Sequence, residues 1–214
     1  MKSIVLASSR GIGKSIADEL KELNHEVITT STSELDTSEM TSVKEFVSNH
    51  ESTDILVLNT GGPPPLDFDK ISEDEWLKYY YQLFYSFVYM LQNIKINNGG
   101  YIFLISSFNI KEPDPKLIIS NCYRLAFTTV LKSLSKSFAK ENISCINIAP
   151  GPIDTDRLRG LVDNVEELGK NLPMGRVGKP EEIGKFIRSI VENNIKYLTG
   201  VTINFDGGHS NYVL

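Results

Sequence analysis

The hydrophobic positions of this chain fall in short continuous runs that alternate with longer stretches of helical periodicity. Continuous apolar runs predict strands that are covered on both faces of a parallel sheet. The predicted strands are residues 3–8, 26–31, 54–59, 100–107, 143–150 and 200–206. Apolar residues that recur every three or four positions predict amphipathic helices. The predicted helices are residues 11–24, 40–50, 72–95, 116–142 and 179–194.

This alternation indicates an α/β fold of the Rossmann type, a doubly wound parallel sheet in which we expect seven strands. No repeat or linker interrupts residues 1–214, so we expect a single dinucleotide-binding domain that also carries the substrate site. Only residues 30–35 separate the second strand from Asp36. A crossover helix needs more room. We therefore expect a shortened connection between strands 2 and 3, with its helix missing or reduced to a turn.

Composition narrows the possible partners and location. The net charge of −5 gives no field that would attract nucleic acid or an anionic membrane. No apolar run reaches the ~18–20 residues of a membrane span. Cys122 and Cys145 have no histidine ligands nearby, and both are interpreted as buried free thiols. We expect a cytoplasmic protein without nucleic-acid or membrane partners and without a metal site.

A glycine pair marks the junction of the first strand and the first helix, in the segment ASSRGIG at residues 7–13. Gly11 and Gly13 let the backbone approach a pyrophosphate, and the helix N-terminus supplies N–H donors. A tight turn alone could also use such a pair. Further motifs follow in order: LNTGG at 58–62, ISS at 105–107, NIAPGPIDTDR at 147–157, PMGRVGKPEEI at 173–183 and YLTGVTINFDGG at 197–208.

The order of these motifs resembles that of the short-chain dehydrogenase/reductase family over essentially the whole chain. Within that family the chain is similar to 3-oxoacyl-carrier-protein reductases. The resemblance implies a nicotinamide cofactor across the carboxyl ends of the strands and a small carbonyl or alcohol substrate. It also implies a homodimer formed by the helices 72–95 and 116–141, or a homotetramer that adds contacts of the last strand.

The resemblance also assigns the cofactor-binding residues. The glycine turn would hold the pyrophosphate, with Ala7 in the place of the family's first glycine. Asp36 would contact the adenine. The segment NIAPGPIDTDR at 147–157 would hold the carboxamide of the nicotinamide. The complete set is Ala7, Ser9, Arg10, Gly11, Ile12, Gly13, Ser31, Thr32, Asp36, Asn59, Gly61, Arg124, Pro150, Gly151, Ile153 and Thr155.

The end of the second strand bears on the choice between NADP and NAD. An acid there would bind the ribose 2′-hydroxyl and repel a 2′-phosphate. Residues 29–32 read TTST, and no acid occurs before Glu34. Arg10, Ser31 and Thr32 could bind a 2′-phosphate by charge and hydroxyl donors. The pattern favours NADP, although an exposed arginine beside ordinary hydroxyls would look the same and NAD stays possible.

The resemblance implies four catalytic positions, namely a serine, a tyrosine thirteen residues later, a lysine four further on, and an asparagine in the preceding long helix. Ser107 fills the first position. Counting places Ser120 in the tyrosine position and Arg124 in the lysine position, and the helix tail VLKSLSKSFA at 130–139 gives the same register. The asparagine position falls on Leu83. The candidate catalytic residues are therefore Ser107, Ser120 and Arg124.

These replacements leave the proton source open. Arg124 keeps the charge that would hold the nicotinamide ribose, but a serine hydroxyl is a far weaker acid than a tyrosine. Water, Tyr123, Lys111 or Lys116 could supply the proton. Tyr123 lies ~100° around the helix from Arg124, so we expect it to pack elsewhere. The chain resembles a divergent branch that carries SN, R and GGPPP and lacks the tyrosine–lysine pair.

Two functions fit this pattern. The first is an NADP(H)-dependent oxidoreductase that interconverts a carbonyl and an alcohol with an atypical catalytic site. The alternative is a catalytically weak or inactive nucleotide-binding regulator or scaffold. A structural homologue without any cofactor is a third possibility.

Overall fold

The structure, a computed structural model that describes residues 1–213, alternates strands and helices along most of the chain. In chain order the elements are β1 (Lys2–Val5), α1 (Gly11–Glu22), β2 (Glu26–Thr29), α2 (Met40–Ser48), β3 (Ser52–Leu58), α3 (Glu73–Tyr80), α4 (Ser86–Asn93), β4 (Lys95–Ile105), α5 (Ile118–Ala139), β5 (Ser144–Pro150), α6 (Asp156–Arg159), α7 (Val165–Lys170), α8 (Pro180–Glu192) and β6 (Val201–Phe205).

The six strands form one parallel sheet in the order β2-β1-β3-β4-β5-β6. The chain builds outward from β1 to β2 and then returns to the other side of β1 to begin β3. The strand order therefore reverses between β1 and β3. In doubly wound sheets, ligands bind in the crevice outside the carboxyl ends of the strands at such a reversal.

Helices cover both faces of the sheet, which explains the uninterrupted hydrophobicity of its strands. Leu56 and Leu58 of β3 join the core beneath α2, α4 and α5, whereas Ile55 and Val57 join the core beneath α1 and α8. The helices α1 and α8 approach closely at Gly184, where a Cβ atom would lie 2.5 Å from Ser15 Oγ. This packing holds the first turn of α1 at the edge of the crevice.

The sheet has six strands, and the prediction of seven is wrong. Residues 30–39 contain turns and no strand. A further parallel strand outside β2 would need its own crossover of a dozen or more residues, and this segment is too short for one. The connection between β2 and β3 contains the helix α2, so the predicted shortened connection between strands 2 and 3 is not confirmed.

The long helix predicted at 72–95 is divided in the structure. It begins as predicted with a capping box, in which Ser72 Oγ accepts from Glu75 N and the Glu75 carboxylate accepts from Ser72 N. A π-helical turn at Tyr81–Tyr85 separates α3 from α4. The helix ends at Asn93 because β4 begins at Lys95, where it pairs with Ser52 of β3.

The structure also bears on the predictions about a membrane span and about the two cysteines. No helix within residues 1–213 combines the length and the hydropathy that a membrane span requires. Cys145 is buried and Cys122 is exposed, so the prediction of a buried thiol is wrong for Cys122, and both cysteines are free.

Candidate active site

The turn between β1 and α1 is shaped to admit a ligand close to its backbone. Gly11 has a φ of 56°, and Ala7 has a φ of 47°, a left-handed conformation that costs an alanine about 1–2 kcal/mol. Arg10 N-caps α1 without a side-chain hydrogen bond. The N–H groups of Ile12 and Gly13 have no acceptor within the described chain. A dinucleotide pyrophosphate fits these open donors at the positive end of α1.

Gly13 has no space for a side chain. A Cβ atom at this position would lie 2.3 Å from Ala7 O and 2.8 Å from Asn59 Nδ2. We expect Gly13→Ala to weaken dinucleotide binding about tenfold and to lower stability by about 1–3 kcal/mol, because the turn must move. Fluorescence titration with NADPH and thermal melting measure both effects. Gly160→Ala is the control, since its Cβ would meet nothing closer than 3.5 Å. Unchanged binding and melting of Gly13→Ala would contradict this account of the turn.

Asn59 joins the ends of β1 and β3 at the crevice. Its Nδ2 donates to the carbonyl oxygens of Leu6 and Ala7, each at 3.3 Å. The following loop continues through Thr60 and the exposed Gly61. Gln82 Nε2 donates to Gly61 O at 3.3 Å and lies 3.4 Å from Thr60 Oγ1. The two predicted residues Asn59 and Gly61 therefore lie at the same end of the sheet as the glycine turn.

The segment after β5 returns to the glycine turn. Pro150 ends β5, and Gly151 packs so tightly that a Cβ atom would lie 2.7 Å from Asp206 Cβ. The Ile153 side chain is buried, but its N–H has no acceptor within residues 1–213. Thr155 caps α6 by accepting from Leu158 N, and its Cγ2 lies 3.3 Å from the position of a Cβ on Gly11. An unpaired backbone donor beside the turn fits the carboxamide of a nicotinamide.

The residues predicted to choose between NADP and NAD lie in an acidic setting. The Glu34 carboxylate turns back to accept from Ser31 N at 2.7 Å and from Ser31 Oγ at 2.8 Å. These hydrogen bonds lower the Glu34 pKa. Arg10 pairs with Asp156 at 3.2 Å, and both side chains are exposed. Thr32 is exposed, and an Asp36 oxygen accepts from Ser38 N. The sequence showed Glu34 only as the first acid beyond this position, and the structure brings its carboxylate back to Ser31.

Ser107 lies just beyond the carboxyl end of β4, where it caps the short helical turn Phe108–Ile110. Its Oγ accepts from Asn109 N at 3.2 Å. This hydrogen bond occupies an acceptor site of the hydroxyl and leaves its proton available for a carbonyl oxygen. Ser9 is exposed in the glycine turn and has no side-chain hydrogen bond within the described residues.

Ser120 and Arg124 lie on one face of α5, as their spacing predicts. Arg124 Nε donates to Ser120 Oγ at 3.2 Å. Its terminal nitrogens donate to Ile105 O at 3.0 Å, Thr60 O at 3.1 Å and Gly61 O at 3.2 Å. Burial, and then the nearby charge of Arg157, lower the Arg124 pKa to about 10, which leaves it charged at neutral pH. Arg124 thereby ties α5 to the ends of β3 and β4.

The other candidates for a proton donor have different partners. Tyr123 Oη donates to Trp76 O at 3.2 Å, and burial raises its pKa, so it packs against α3 as predicted. Lys116 is paired with Asp67, which raises the Lys116 pKa. Lys111 stacks over the ring of Tyr212. Neither lysine is directed at Ser120 by these contacts.

Two residues at the site escaped the sequence analysis. The π-helical turn buries Leu83 in the core, and the neighbouring Gln82 contacts the Thr60–Gly61 loop instead. Arg157 Nη2 donates to Pro63 O from across the cleft. Neither contact has a signal in the sequence, because a π turn and a long-range contact leave no periodic pattern. No group of three or more potential metal ligands occurs among residues 1–213.

The parallel sheet and the open glycine turn at its carboxyl end are suited to hold a nucleotide. The family model described as Enoyl-(Acyl carrier protein) reductase matches residues 35–210. The chain belongs to the short-chain dehydrogenase/reductase family and is an oxidoreductase.

Individual relatives cover nearly the whole chain. The 3-oxoacyl-[acyl-carrier-protein] reductase FabG of Chlamydia muridarum is 29% identical over 206 residues, which cover 92% of this chain and 82% of the relative. The NADPH-dependent reductase BacG of Bacillus subtilis is 25% identical, with 96% of each chain covered. The fold matches a short chain dehydrogenase family protein from Francisella tularensis with a TM-score of 0.85 at 21% identity, over 97% of this chain and 98% of that protein.

Proposed function

We propose that this chain is an NADP(H)-dependent oxidoreductase that interconverts a carbonyl and an alcohol with Ser107, Ser120 and Arg124. The observation that carries the proposal is the position of the Arg124 guanidinium. It bonds Ser120 and the carbonyl groups at the ends of β3 and β4, beside the crevice in which a dinucleotide fits. A fixed charge at this place suits the ribose hydroxyls of the cofactor.

The serines have separate roles in this proposal. Ser107 donates a hydrogen bond from its hydroxyl to the substrate oxygen and stabilises the charge that develops there. Arg124 donates to Ser120 Oγ, which makes the Ser120 hydroxyl a better proton donor than an isolated serine. Hydride transfer is the chemistry that a nicotinamide supplies when it is bound.

Water is the proposed source of the proton. Tyr123, Lys111 and Lys116 are engaged with other groups, and Ser120 alone is too weak an acid to act without resupply. The buried Oδ1 atoms of Asn109 and Asn121 have no donor within residues 1–213. A buried oxygen without a donor is a place that an ordered water can occupy, so these two atoms are the proposed anchors of the water.

Turnover with a panel of carbonyl compounds tests the proposed function. Purified protein and NADPH are mixed with aldehydes, ketones, oxo acids and 3-oxoacyl thioesters, and the loss of absorbance by NADPH is recorded. We expect steady oxidation with at least one compound class. Binding of NADPH without oxidation by any carbonyl, and without reduction of NADP by alcohols, would contradict the proposal and favour a regulator or scaffold.

The choice of NADP rests on Arg10, Ser31 and Thr32, and the relative from Bacillus subtilis is named as NADPH-dependent. The Arg10–Asp156 pair is exposed, so it contributes little and can open to a 2′-phosphate. Glu34 acts in the opposite sense, because its carboxylate would repel that phosphate. The preference between NADP and NAD therefore depends on the balance between Arg10, Ser31 and Thr32 on one side and Glu34 on the other.

We expect Glu34→Gln to tighten NADPH binding about threefold to fivefold and to leave NADH binding unchanged, because it removes an exposed like charge. Titration of both cofactors measures the ratio of the two dissociation constants. Glu39→Gln, which removes the same charge from an exposed position on the same connection, is the control. Weaker NADH binding with unchanged NADPH binding would mean that Glu34 holds the ribose hydroxyls and that NAD is the cofactor.

We also propose, from the Ser120–Arg124 pair and the loop GGPPP, that the chain belongs to a divergent branch without the tyrosine and lysine.

The proposed assembly is a homodimer or homotetramer through the paired helices. Leu77 of α3 and Leu125 of α5 are 50% and 47% exposed, as expected for residues that a second copy covers. Sedimentation at micromolar concentration is expected to give a dimer or tetramer. A monomer would contradict this assembly.

A further inference from the structure

Four arginines are paired with carboxylates, and the two that approach Ser120 are not. The four paired residues are Arg10, Arg159, Arg176 and Arg188. Arg124 and Arg157 form no ion pair within residues 1–213. The cleft therefore holds two positive charges that the described chain does not neutralise.

The two guanidinium groups converge on one point. A Cβ atom on Gly62 would lie 3.5 Å from an Arg124 terminal nitrogen and 3.6 Å from an Arg157 terminal nitrogen. Ser120 Oγ would lie 3.8 Å from the same atom. Glycine leaves this point open, so an anion that reaches Arg157 there would lie beside the proposed catalytic hydroxyl.

Arg157 has the capacity to bind such an anion. It carries five N–H donors, and Pro63 O is its one hydrogen-bond acceptor within the described chain. Most donors of Arg124 are already bound to carbonyl oxygens. Desolvation lowers the pKa of both residues, and the Arg157 charge also lowers that of Arg124. The charges thus repel each other at close range, and an anion between them would relieve that repulsion.

The phosphates of the cofactor are an unsuitable partner for Arg157. The proposed pyrophosphate site is at the first turn of α1, and the proposed 2′-phosphate site involves Arg10 and Ser31. Arg157 instead contacts the loop of Gly62 and Pro63 next to Ser120. It belongs to α6 and is exposed, so a substrate can reach it from solvent.

We propose that Arg157, supported by the charge of Arg124, binds the carboxylate of the substrate, so that the substrate class is a small oxo acid. This inference rests on the proposed function of the same site. A planar guanidinium matches a carboxylate through two parallel hydrogen bonds. Because Ser120 lies beside the same point, the carboxylate must be separated from the reacting carbonyl by no more than a short chain.

A binding experiment tests the inference without depending on turnover. The protein, with and without NADP, is titrated calorimetrically with 2-oxobutanoate and acetoacetate and with the ethyl ester of each. A carbonyl compound cannot be reduced by oxidised cofactor, so the complexes are stable. We expect each acid to bind at least about tenfold more tightly than its ester. Equal binding of acid and ester would overturn the inference.

Variants identify the residue responsible. We expect Arg157→Gln to lose the preference for the acids and Arg157→Lys to keep part of it, with ester and NADP binding unchanged. The control is Arg159→Gln, which removes an arginine of the same short helix that is paired with Asp154. A retained preference in Arg157→Gln would overturn the inference. Tight binding of acids without any NADPH oxidation would support the inference and contradict the proposed function. Equal turnover of acids and esters would support the proposed function and contradict the inference.

Discussion

Replacement of Ser107 by alanine is expected to lower kcat/KM about 100-fold to 1,000-fold. The hydroxyl is the proposed donor to the substrate oxygen, and loss of one such donor removes roughly that factor. Ser107 Oγ already accepts from Asn109 N, which leaves its hydrogen available to donate to a ligand. Steady-state rates with the best carbonyl compound measure the loss, and the dissociation constant of NADPH is expected to stay unchanged.

Two control variants separate the chemistry from the local structure. Ser107→Thr keeps both the hydroxyl and the acceptor for Asn109 N, so it is expected to retain most of the activity. Ser106→Ala removes the adjacent hydroxyl, which donates to Ile148 O at 3.2 Å, and is expected to cost about 1 kcal/mol of stability with little change in rate. Full activity of Ser107→Ala would remove Ser107 from the mechanism.

Replacement of Arg124 by lysine is expected to lower kcat/KM about 100-fold, although the charge is kept. A lysine is a point charge that cannot reach Ile105 O, Thr60 O and Ser120 Oγ together as the guanidinium does. The KM for NADPH is expected to rise because the Thr60–Gly61 loop loses its support. Arg188→Lys, at the partly buried pair with Glu19 between α8 and α1, is the control and is expected to keep the wild-type kcat/KM.

The pH profile gives a readout that a purely structural role of Arg124 would not change. Desolvation lowers the Arg124 pKa to about 10, so its charge is complete below that pH and is lost as the pH rises through it. Activity of the wild type is therefore expected to be level from pH 7 to about 9 and to fall near 10. In Arg124→Lys the same desolvation acts on a group of lower ordinary pKa, so the fall moves to lower pH. Coincident alkaline limbs would contradict an essential charge at this position.

The sequence was sufficient for features that depend on local periodicity. Ser120 and Arg124 are one helical turn apart, so counting along the chain predicts their shared face, and the Nε–Oγ contact follows from it. The capping box at Ser72 and Glu75 was predicted in the same way. Continuous apolar runs predicted all six strands of the sheet because both of its faces are covered.

Features that depend on tertiary context were missed. The expected seventh strand has no counterpart in the sheet, because residues 30–39 are too few for a crossover and a strand. Leu83 was assigned by counting along a regular helix, and the π turn at Tyr81–Tyr85 brings Gln82 to the site instead. Glu34 returns to Ser31 through a turn, and Arg157 reaches Pro63 from the far side of the cleft. Such contacts are set by the folded backbone.

Transfer of a labelled hydride tests the central claim most directly, namely that a site with serine and arginine in place of tyrosine and lysine still reduces a carbonyl. NADPH deuterated on one or the other face of C4 is incubated with the protein and the best substrate, and the alcohol is analysed by mass spectrometry. We predict one deuterium on the carbinol carbon from one labelled face and none from the other, with the initial rate of product formation lowered about 100-fold to 1,000-fold in Ser107→Ala. Absence of labelled alcohol from both cofactors, despite measured binding of NADPH, would contradict the account.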